Sequence, residues 1–516
     1  MHAGSFRRAP GVVLVVAAVS AALLTWAFAG AGGRASATPR LPLPHPLVTD
    51  YQQISTSEIP PTQAQCASAG RRCFSPQAIA ASYNVTPLHD NGVDGRGITI
   101  AIVDSYGSDT MAHDLHVFDT QFGLPPLCGE EGVTGNDCTS DMGTFSELSL
   151  QGSPATKAPP EKSHTPGQED KSAWALEVAL DVETAHAMAP RANILLVHTP
   201  TAETLGVQGF PQMMAAEQYV VDHHLAQVIT QSFGAAEESF HNSNSLETLR
   251  HAFESARENG VTVLASSGDF GALNPYKAPV SKGGQPIPDA TVTWPSSDPL
   301  VTSVGGTSLC TDPNDTANRT VDSTDPPAEC QGPFAGQAEV TWDRPTVGVA
   351  TGGGFSHVFP RPDYQNTLPA GSTDIPADQR GVPDIGLQAN SRTGALVYLT
   401  LPPDGNGGLI CPGGNPCSTG WYDIGGTSLS APQWAGLVAL AAQVKGHGLG
   451  LINPALYSLA SNPTTYANDF FDVTVGSNHV DGDFGSFNAS TGWDPNTGLG
   501  TPNAANLVPD LANASP

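Results

Sequence analysis

Two serines occur in the same five-residue phrase, and each is a candidate nucleophile. The phrase Gly-Gly-Thr-Ser-Leu stands at 305–309 and again at 425–429. A serine nucleophile works best at the start of a helix, where unpaired N–H groups and the helix dipole favour developing negative charge. After Ser428 comes an apolar run of helix-forming residues, with Pro432 in the first turn, whereas turn-forming residues follow Ser308. We therefore predict Ser428 as the nucleophile and Ser308 as a structural residue.

Two carboxylic residues, Glu177 and Asp181, are candidates for acid–base chemistry. They are four residues apart in SAWALEVALDVETAHAMAP, and Trp174 precedes them by one turn, so a helix would present all three on one side. The residues around them are almost all apolar, which predicts a buried helix. Two carboxyl groups inside it are costly unless they share a proton or take part in chemistry. The alternative is that both bond to the backbone in a polar gap.

A third acidic residue, Asp269, follows the apolar run VTVLASSGD in a turn flanked by glycine. Ligands of parallel sheets collect at the carboxyl ends of the strands, which is where this residue would lie. On its own, Asp269 would be interpreted as an ordinary turn residue.

Strands and helices alternate between residues 95 and 269, and they must position these side chains. Apolar strand-like runs are separated by helical stretches, which predicts a parallel sheet covered on both faces. The segments, in order, are ITIAIVD, SAWALEVALDVETAHA, ANILLVH, PQMMAAEQYVVDHH, QVITQSF, LETLRHAFESARENG and VTVLASSGD.

The charge balance excludes two classes of partner. The chain has 516 residues, with 49 acidic and 21 basic side chains and a formal charge of −28. Such a charge repels nucleic acid and anionic membrane surfaces, so neither is expected as a partner.

The first 37 residues resemble an export signal, with a short basic segment, about twenty apolar residues and small residues at possible cleavage points. An uncleaved membrane anchor is the alternative. Residues 38–75 are rich in Pro, Ser and Thr, which predicts a linker or a short pro-segment. A secreted, extracellular protein is expected.

Eight cysteines fall into sequence-adjacent pairs, which suits disulfide bonds in an exported chain. Pairing between neighbours is the simplest of the many connectivities. The pairs would be 66/73, 128/138, 310/330 and 411/417.

Several separated motifs resemble the sedolisin (serine-carboxyl peptidase) family, which is related to the subtilisins. This resemblance implies an α/β, subtilisin-like three-layer fold, in which helices flank a mostly parallel central sheet. It places a peptidase domain at 76–505 and leaves 506–516 as a C-terminal tail. The motifs occur in the family's order: IAIVDSYG at 100–107, the Glu177–Asp181 helix ending in Met-Ala-Pro, SSGD at 266–269, TWPSSDPLVTSVGGT at 293–307, TGGGFS at 351–356, RGVPDI at 380–385, GGTSLSAP at 425–432 and GWDPNTGLGTP at 492–502.

The resemblance also implies roles for four residues. Ser428 would be the nucleophile, Glu177 the general base and acid, Asp181 its hydrogen-bonded support and Asp269 the stabiliser of the oxyanion. A histidine base, with an ordinary pKa near 6.5, is largely disabled well below pH 5, whereas a glutamate near 4.3 is not. Asp269 can donate a hydrogen bond to an oxyanion only as a neutral acid. We therefore expect hydrolysis of polypeptide substrates in acid by a monomeric enzyme.

Other functions are compatible with some of these residues. The strand before Asp104 resembles the one that carries the catalytic Asp of subtilisins, which suggests a Ser428/His186/Asp104 triad, but the motif His-Gly-Thr-His is absent. A second alternative is a secreted binding protein with the same fold and no catalytic activity. A lipase lacks support because no Gly-x-Ser-x-Gly surrounds any serine. The sequence does not distinguish an endopeptidase from a tripeptidyl-peptidase. About forty residues separate the predicted signal from the expected catalytic start, whereas relatives are usually made with a large prodomain, so either no prodomain is needed or inhibition works differently.

One calcium ion is the expected cofactor. The stretch 469–494 is rich in acidic residues and turns, and calcium takes six to eight oxygen ligands. The resemblance places ligands at Asp472 and Asp494 and at the carbonyls of Val473, Ser490 and Gly492. An acidic hairpin without metal is the alternative.

Overall fold

A mostly parallel sheet of eight strands lies at the centre of the fold. The structure, a computed structural model, describes residues 45–46, 50–150, 168–199, 209–274, 286–401 and 417–515. Within them the strands β1 to β20 are, in chain order, His45–Pro46, Tyr51–Ser55, Thr99–Ser105, Phe145–Ser149, Asn193–Thr199, Val228–Gln231, Phe233–Ala236, Thr262–Ser266, Thr293–Trp294, Thr302–Leu309, Glu339–Thr341, Asp343–Arg344, Val349–Ala350, Gly354–Phe355, Gly381–Val382, Ile385–Gln388, Ala395–Leu399, Gly420–Ile424, Phe470–Phe471 and Thr501–Pro502.

Helices make up the layers outside this sheet. In the same described ranges, the α-helices α1 to α12 are, in chain order, Gln63–Ser68, Pro76–Ser82, Thr86–Asp90, Met111–Phe122, Gln168–Met188, Gly209–Asp222, Ser243–Glu247, His251–Glu258, Thr427–Lys445, Asn453–Ala460, Pro463–Asp469 and Ala504–Ala514.

The strand order of the central sheet is β11-β10-β8-β6-β3-β5-β4, and β16 also pairs with β10. All of these pairs are parallel except β10 with β11. The predicted parallel sheet is therefore confirmed, and four of the predicted apolar runs are its strands β3, β5, β6 and β8.

Both faces of the sheet are covered, as strand β3 shows. Ile100 and Ile102 pack in one apolar cluster, together with residues of α5 and α9. Ala101 and Val103 pack in a second cluster, with residues of α6 and α8. Successive side chains of a strand point to opposite faces, so the two clusters are two layers on either side of the sheet. This is the subtilisin-like three-layer α/β arrangement that the sequence predicts.

Helix α5 is surrounded by protein. All side chains from Trp174 to Pro190 are buried, including those of Glu177 and Asp181. This agrees with the burial predicted from a sequence that is apolar nearly all round.

Part of the predicted linker belongs to the folded unit. Strand β2 pairs with β18, and α1 lies beside the disulfide between Cys66 and Cys73. The predicted C-terminal tail likewise contains most of α12, whose Leu507 and Leu511 are buried against the core. The predicted signal at 1–37 lies outside the described residues.

One predicted helix is divided. The stretch predicted as a single helix from 246 to 260 contains the end of α7, a turn at 248–250 and then α8. Thr248 Oγ1 donates to the carbonyl of Ser245 at 3.0 Å, a local bond that competes with the helical pattern.

Three of the predicted disulfides are present, namely Cys66–Cys73, Cys128–Cys138 and Cys310–Cys330. The fourth predicted pair includes Cys411, which lies outside the described residues. Among the helices that are described, none has the length and apolar character needed to cross a membrane.

Candidate active site

Three polar residues lie where neighbouring parallel strands end. Asp104 is near the end of β3, Ser232 directly follows β6 and Asp269 follows β8, and these strands are adjacent in the order β8-β6-β3. The carboxyl ends of parallel strands share one edge of the sheet, so the three side chains lie along the same crevice.

Helix α5 brings its two carboxyl groups to this edge. Ser232 Oγ donates to Asp181 Oδ1 at 3.0 Å, and both residues are fully buried. Burial raises the pKa of Asp181 well above its usual range, and the negative charges of Asp104 and Glu177 raise it further, against the effect of the Ser232 bond. Asp104, Glu177 and Asp181 thus form one electrostatic group, which we name the proximal carboxyl cluster.

Within this cluster, Asp104 acts on Asp181 through its charge and not through a hydrogen bond. Neither of its carboxyl oxygens has a hydrogen-bond partner among the described residues, and the side chain is fully buried. Burial raises the pKa of Asp104 to about 8, so its neutral form is favoured in acid.

Ser428 lies at the start of helix α9. The strand β18 ends at Ile424, Gly426 turns the chain with φ of 107°, and Ser428 is the second helical residue. The strand–turn–helix context predicted from the sequence is therefore present. The first N–H groups of a helix lack the usual helical partners. Here the Thr427 N–H donates to Asp269 Oδ1 and the Leu429 N–H donates to the Gly426 carbonyl oxygen, with the Ser428 N–H between them. Ser428 Oγ is buried and has no hydrogen-bond partner in the described part of the chain.

Helices α5 and α9 run in the same direction. Gly436 of α9 packs directly against Ala185, because a Cβ at Gly436 would lie 3.1 Å from the Ala185 carbonyl oxygen. Further along α9, Gln443 Oε1 accepts the N–H of Gly95 at 2.6 Å. A Cβ at Gly95 would in turn lie 3.0 Å from the Cβ of Ala192, just beyond the end of α5. Successive contacts along α9 therefore meet successive residues along α5, so the two helices are parallel.

The parallel arrangement sets Glu177 level with Ser428. Eight residues separate Ser428 from Gly436, and eight separate Glu177 from Ala185 (428 to 436 and 177 to 185). At 1.5 Å per residue, each pair is separated by about 12 Å along its helix axis. Because Gly436 contacts the turn from Ala185 to Ala189, the hydroxyl and the carboxyl lie within about one helical turn of each other in height on neighbouring helices.

Asp269 is held at the same helix start. Its Oδ1 accepts the backbone N–H of Thr427 at 2.8 Å and the Thr427 hydroxyl at 2.8 Å. Thr427 Oγ1 in turn accepts the N–H of Gly268 at 3.1 Å. Asp269 and Ser428 are therefore fixed on either side of Thr427.

The structure argues against the histidine-dependent triad. His186 lies nine residues after Glu177, about half a turn round the helix, so it faces away from that carboxyl. Its Nε2 lies 3.1 Å from Asp119 Oδ1, and burial lowers the pKa of His186 to about 4. Asp104, the other proposed member, has Asp181 beside it instead of an imidazole.

The other serine of the repeated phrase has a different environment. Ser308 lies within strand β10, and its Oγ accepts a hydrogen bond from Asn390 Nδ2 at 2.9 Å. Cys310 follows, disulfide-bonded to Cys330. The phrase continues into a disulfide-bonded loop rather than a helix, which agrees with the structural role predicted for Ser308.

A second buried acidic group lies on the opposite side of α5. Asp119 and Glu130 face one another beside His186, and we name these three residues the distal carboxyl cluster. Burial raises the pKa of Asp119 to about 8, and it raises that of Glu130, which the neighbouring Asp119 carboxyl raises further. Two carboxyl groups so placed are stable when they share a proton.

The predicted calcium ligands lie in one loop. Asp472 Oδ2 accepts the N–H of Gly492 and Asp494 Oδ2 that of Ser490, each at 3.0 Å. The carbonyl oxygens of Val473, Ser490 and Gly492 accept no hydrogen bond from the described residues. Two carboxylates and three available carbonyls fit a calcium ion, which prefers oxygen ligands. Across the described ranges, no group of three or more His, Cys, Asp or Glu side chains is placed to hold a metal.

Sequence reasoning missed two residues that position the site. Ser232 bonds Asp181, and Thr427 bonds Asp269. Ser232 follows a predicted strand, and Thr427 stands directly before the predicted nucleophile. Their positions are the available signal, although their partners come from distant parts of the chain.

Comparison with known proteins identifies the family. The model of the subtilase family matches residues 166–459, which include helix α5 and helix α9. The chain belongs to the subtilase family. Its relatives place it in the sedolisin branch, so it is a serine-type peptidase of the sedolisin type.

Two relatives and one solved structure illustrate the match. Kumamolisin of a Bacillus species is 28% identical over 460 residues, covering 88% of this chain and 67% of kumamolisin. Tripeptidyl-peptidase 1 of Macaca fascicularis is 30% identical over 370 residues, covering 67% of this chain and 54% of the relative. The structure of Pseudomonas sedolisin in complex with pseudo-iodotyrostatin matches with a TM-score of 0.60 and 24% identity, covering 85% of this chain and 97% of that one. This last likeness supports the subtilisin-like fold.

Proposed function

We propose that this sedolisin-type chain is a secreted peptidase that hydrolyses peptide bonds in acid through a Ser428 acyl-enzyme. The observation that carries the proposal is the side-chain chemistry around Ser428. A serine at a helix start lies level with Glu177, whose charged neighbours are carboxyl groups, while His186 on the same helix faces elsewhere.

In the proposed reaction Glu177 removes the proton from Ser428 Oγ, which attacks the carbonyl carbon of the scissile bond. The resulting oxyanion is stabilised by the Ser428 N–H at the start of α9 and by a neutral Asp269. Glu177 then gives its proton to the leaving amine, and the C–N bond breaks. Water attacks the acyl-enzyme by the same steps, with Glu177 again acting as base and then acid.

The proximal carboxyl cluster favours this chemistry at low pH. Three neighbouring carboxyl groups cannot all be ionised without strong repulsion. Because burial raises the pKa of Asp181 and Asp104, both keep their protons in acid, and the proposed reaction assigns the base role to the remaining member, Glu177. Asp181 in its neutral form can then support the Glu177 carboxylate by donating a hydrogen bond.

The test is cleavage of an unfolded protein between pH 3 and pH 7, with Ser428→Ala as the matched inactive control. We expect activity to be highest in acid and to fall toward neutrality, because an ionised Asp269 would repel the oxyanion. An optimum at pH 7 or above would contradict the proposal. The product masses would also show whether the enzyme cleaves internally or releases tripeptides.

Calcium would be held by Asp472 and Asp494 with the carbonyls of Val473, Ser490 and Gly492. A bound cation would offset the repulsion between the two carboxylates and fix the loop that contains them. Metal analysis of chelator-free protein should then find one calcium per chain, and Asp472→Asn should lose it. Asp481→Asn is the control, because Asp481 lies in the same loop with 64% of its side chain exposed. Retention of calcium by Asp472→Asn would exclude this site.

Secretion is supported by the signal-like segment at 1–37 and by three disulfides, which persist in oxidising compartments. Sequencing the N-terminus of protein recovered from the culture medium would test export and locate the cleavage point. Recovery of the whole chain in the membrane fraction would favour the anchor instead.

A further inference from the structure

Thr427 stands between the two groups that the proposed reaction uses at the start of helix α9. It is the first residue of that helix and follows Gly426, which has no side chain to cap the helix. The N–H of Thr427 is instead capped by Asp269, a residue from the loop after β8. The carboxyl group therefore serves as a helix cap contributed by a distant segment.

The Thr427 hydroxyl has a fixed orientation. Its oxygen accepts the N–H of Gly268 at 3.1 Å, and its proton is donated to Asp269 Oδ1 at 2.8 Å. With the Thr427 N–H bond at 2.8 Å, two donors from one residue converge on a single carboxyl oxygen. When the Asp269 carboxyl group is neutral, as the proposed function requires, the oxygen that accepts two hydrogen bonds is its carbonyl oxygen, so the acidic proton is on the other oxygen.

We propose that Thr427 is a positioning residue, which holds Asp269 by Oδ1 so that the proton needed for oxyanion stabilisation is carried by Oδ2. The proposal rests on the proposed function of Asp269 as a neutral donor. It adds the reason why that donor has one orientation. A carboxyl group free to rotate would present either oxygen, and half of its conformations would turn the proton away from the substrate.

The environment of Thr427 supplies a matched pair of variants. Its methyl group points at Gly306, where an added Cβ would lie 3.4 Å from Thr427 Cγ2. Thr427→Val keeps this methyl and the side-chain shape but loses the hydroxyl. Thr427→Ser keeps the hydroxyl but loses the methyl. Packing and hydrogen bonding are therefore separated within one position.

We expect Thr427→Val to lower kcat by roughly 10- to 100-fold, because removing one oxyanion donor costs about 10²- to 10³-fold and here the donor is misplaced rather than removed. KM should change little. The pH at which activity is lost should rise by about one unit, because a missing donor makes the ionised carboxylate less stable. Thr427→Ser should stay within about 3-fold of the parent, with an unchanged pH profile.

The measurement is the full pH–rate profile of the parent, both variants and Ser428→Ala on an unfolded protein substrate. A normal profile for Thr427→Val would overturn the inference, as would equal impairment of both variants, since that would assign the effect to packing. If Thr427→Val fails to fold, Thr427→Ala replaces it, and equal activity of the Ala and Ser variants would overturn the inference. Failure of the proposed function would look different from failure of this inference. In that case the parent would lack an acid optimum, or Ser428→Ala would retain turnover.

Discussion

Two buried carboxyl clusters lie on opposite sides of helix α5, and they differ in what surrounds them. In the proximal cluster the pKa of Asp104 and Asp181 is raised by burial, and in the distal cluster so is that of Asp119 and Glu130. Burial and a raised pKa are therefore common to both. Only the proximal cluster lies level with a serine at a helix start and along the strand edge that holds Asp269. A carboxyl pair with raised pKa values therefore marks a reaction site only when a nucleophile and an oxyanion donor accompany it.

Replacing one glutamate in each cluster should give the largest difference in activity between the two clusters. We expect Glu177→Gln to lower kcat/KM by about 10⁴-fold in acid, because the amide cannot accept the Ser428 proton. Glu130→Gln should keep activity within about 3-fold. The measurement is the initial rate at pH 4, with circular dichroism to show that both variants are folded. Equal loss of activity in two folded variants would remove the distinction between the clusters.

The variant Asp104→Asn tests whether Asp104 acts as a neutral group in the proximal cluster. A carboxyl group with a raised pKa is protonated at pH 4, and an amide resembles it in shape and charge, so activity there should stay within about 3-fold of the parent. As pH rises through about 8 the parent loses this proton and the variant does not. The loss of activity with rising pH should therefore be less steep in Asp104→Asn when the two profiles are compared. A collapse of activity at pH 4 would instead show that Asp104 is needed as an ionised group.

The distal cluster should appear in the pH dependence of stability. Carboxyl groups whose pKa is raised on folding stabilise the fold fully below the unfolded value near 4, and this contribution is lost as pH rises toward about 8. Glu130→Gln removes one such group from the shared-proton pair. We expect the fall in the unfolding midpoint between pH 5 and pH 8 to shrink by about 3 °C or more.

The control for this stability measurement is Glu131→Gln, since the neighbouring Glu131 side chain is 61% exposed. The charged groups facing the pair are His186, His116 and Glu183, and they are unchanged in both variants. A pH dependence of the midpoint identical in Glu130→Gln and the parent would show that the pair does not hold a shared proton.

The smallest effect on activity is expected for His186→Asn. Burial lowers the pKa of His186 to about 4, so its contribution to stability is present above about 6.5 and is lost as pH falls toward 4. The variant should therefore gain stability in acid relative to neutral pH, with activity within about 2-fold of the parent. A hundredfold loss of activity in folded His186→Asn would revive the histidine-dependent interpretation.

Local patterns in the sequence predict the sheet and the two central helices. The strand at 99–105 and helix α5 have long apolar runs whose burial follows from composition alone. The helix after Ser428 is predictable for the same reason, because its residues are apolar helix formers. The site residues on these elements, Glu177 and Ser428, can accordingly be placed near one edge of the sheet from local patterns.

Contacts between distant segments are not predictable in this way. Strand β2 has the polar sequence YQQIS, and its pairing partner β18 lies far along the chain, so no local period marks it. The distal cluster joins Asp119, Glu130 and His186, which come from a helix, a disulfide-bonded loop and the back of α5. No spacing rule connects three such residues, because only the tertiary fold brings them together.

The contact at Gly436 has a consequence for how this enzyme can change. A Cβ there would lie 2.5 Å from the Cβ of Met188, too close for any side chain. One methyl group at this point would act as a wedge and would move the nucleophile relative to its base, although it would be placed about 12 Å from the chemistry. The alignment of the Ser428 hydroxyl with the Glu177 carboxyl thus depends on the missing Cβ of Gly436. Engineering of α9 must therefore keep glycine at this position.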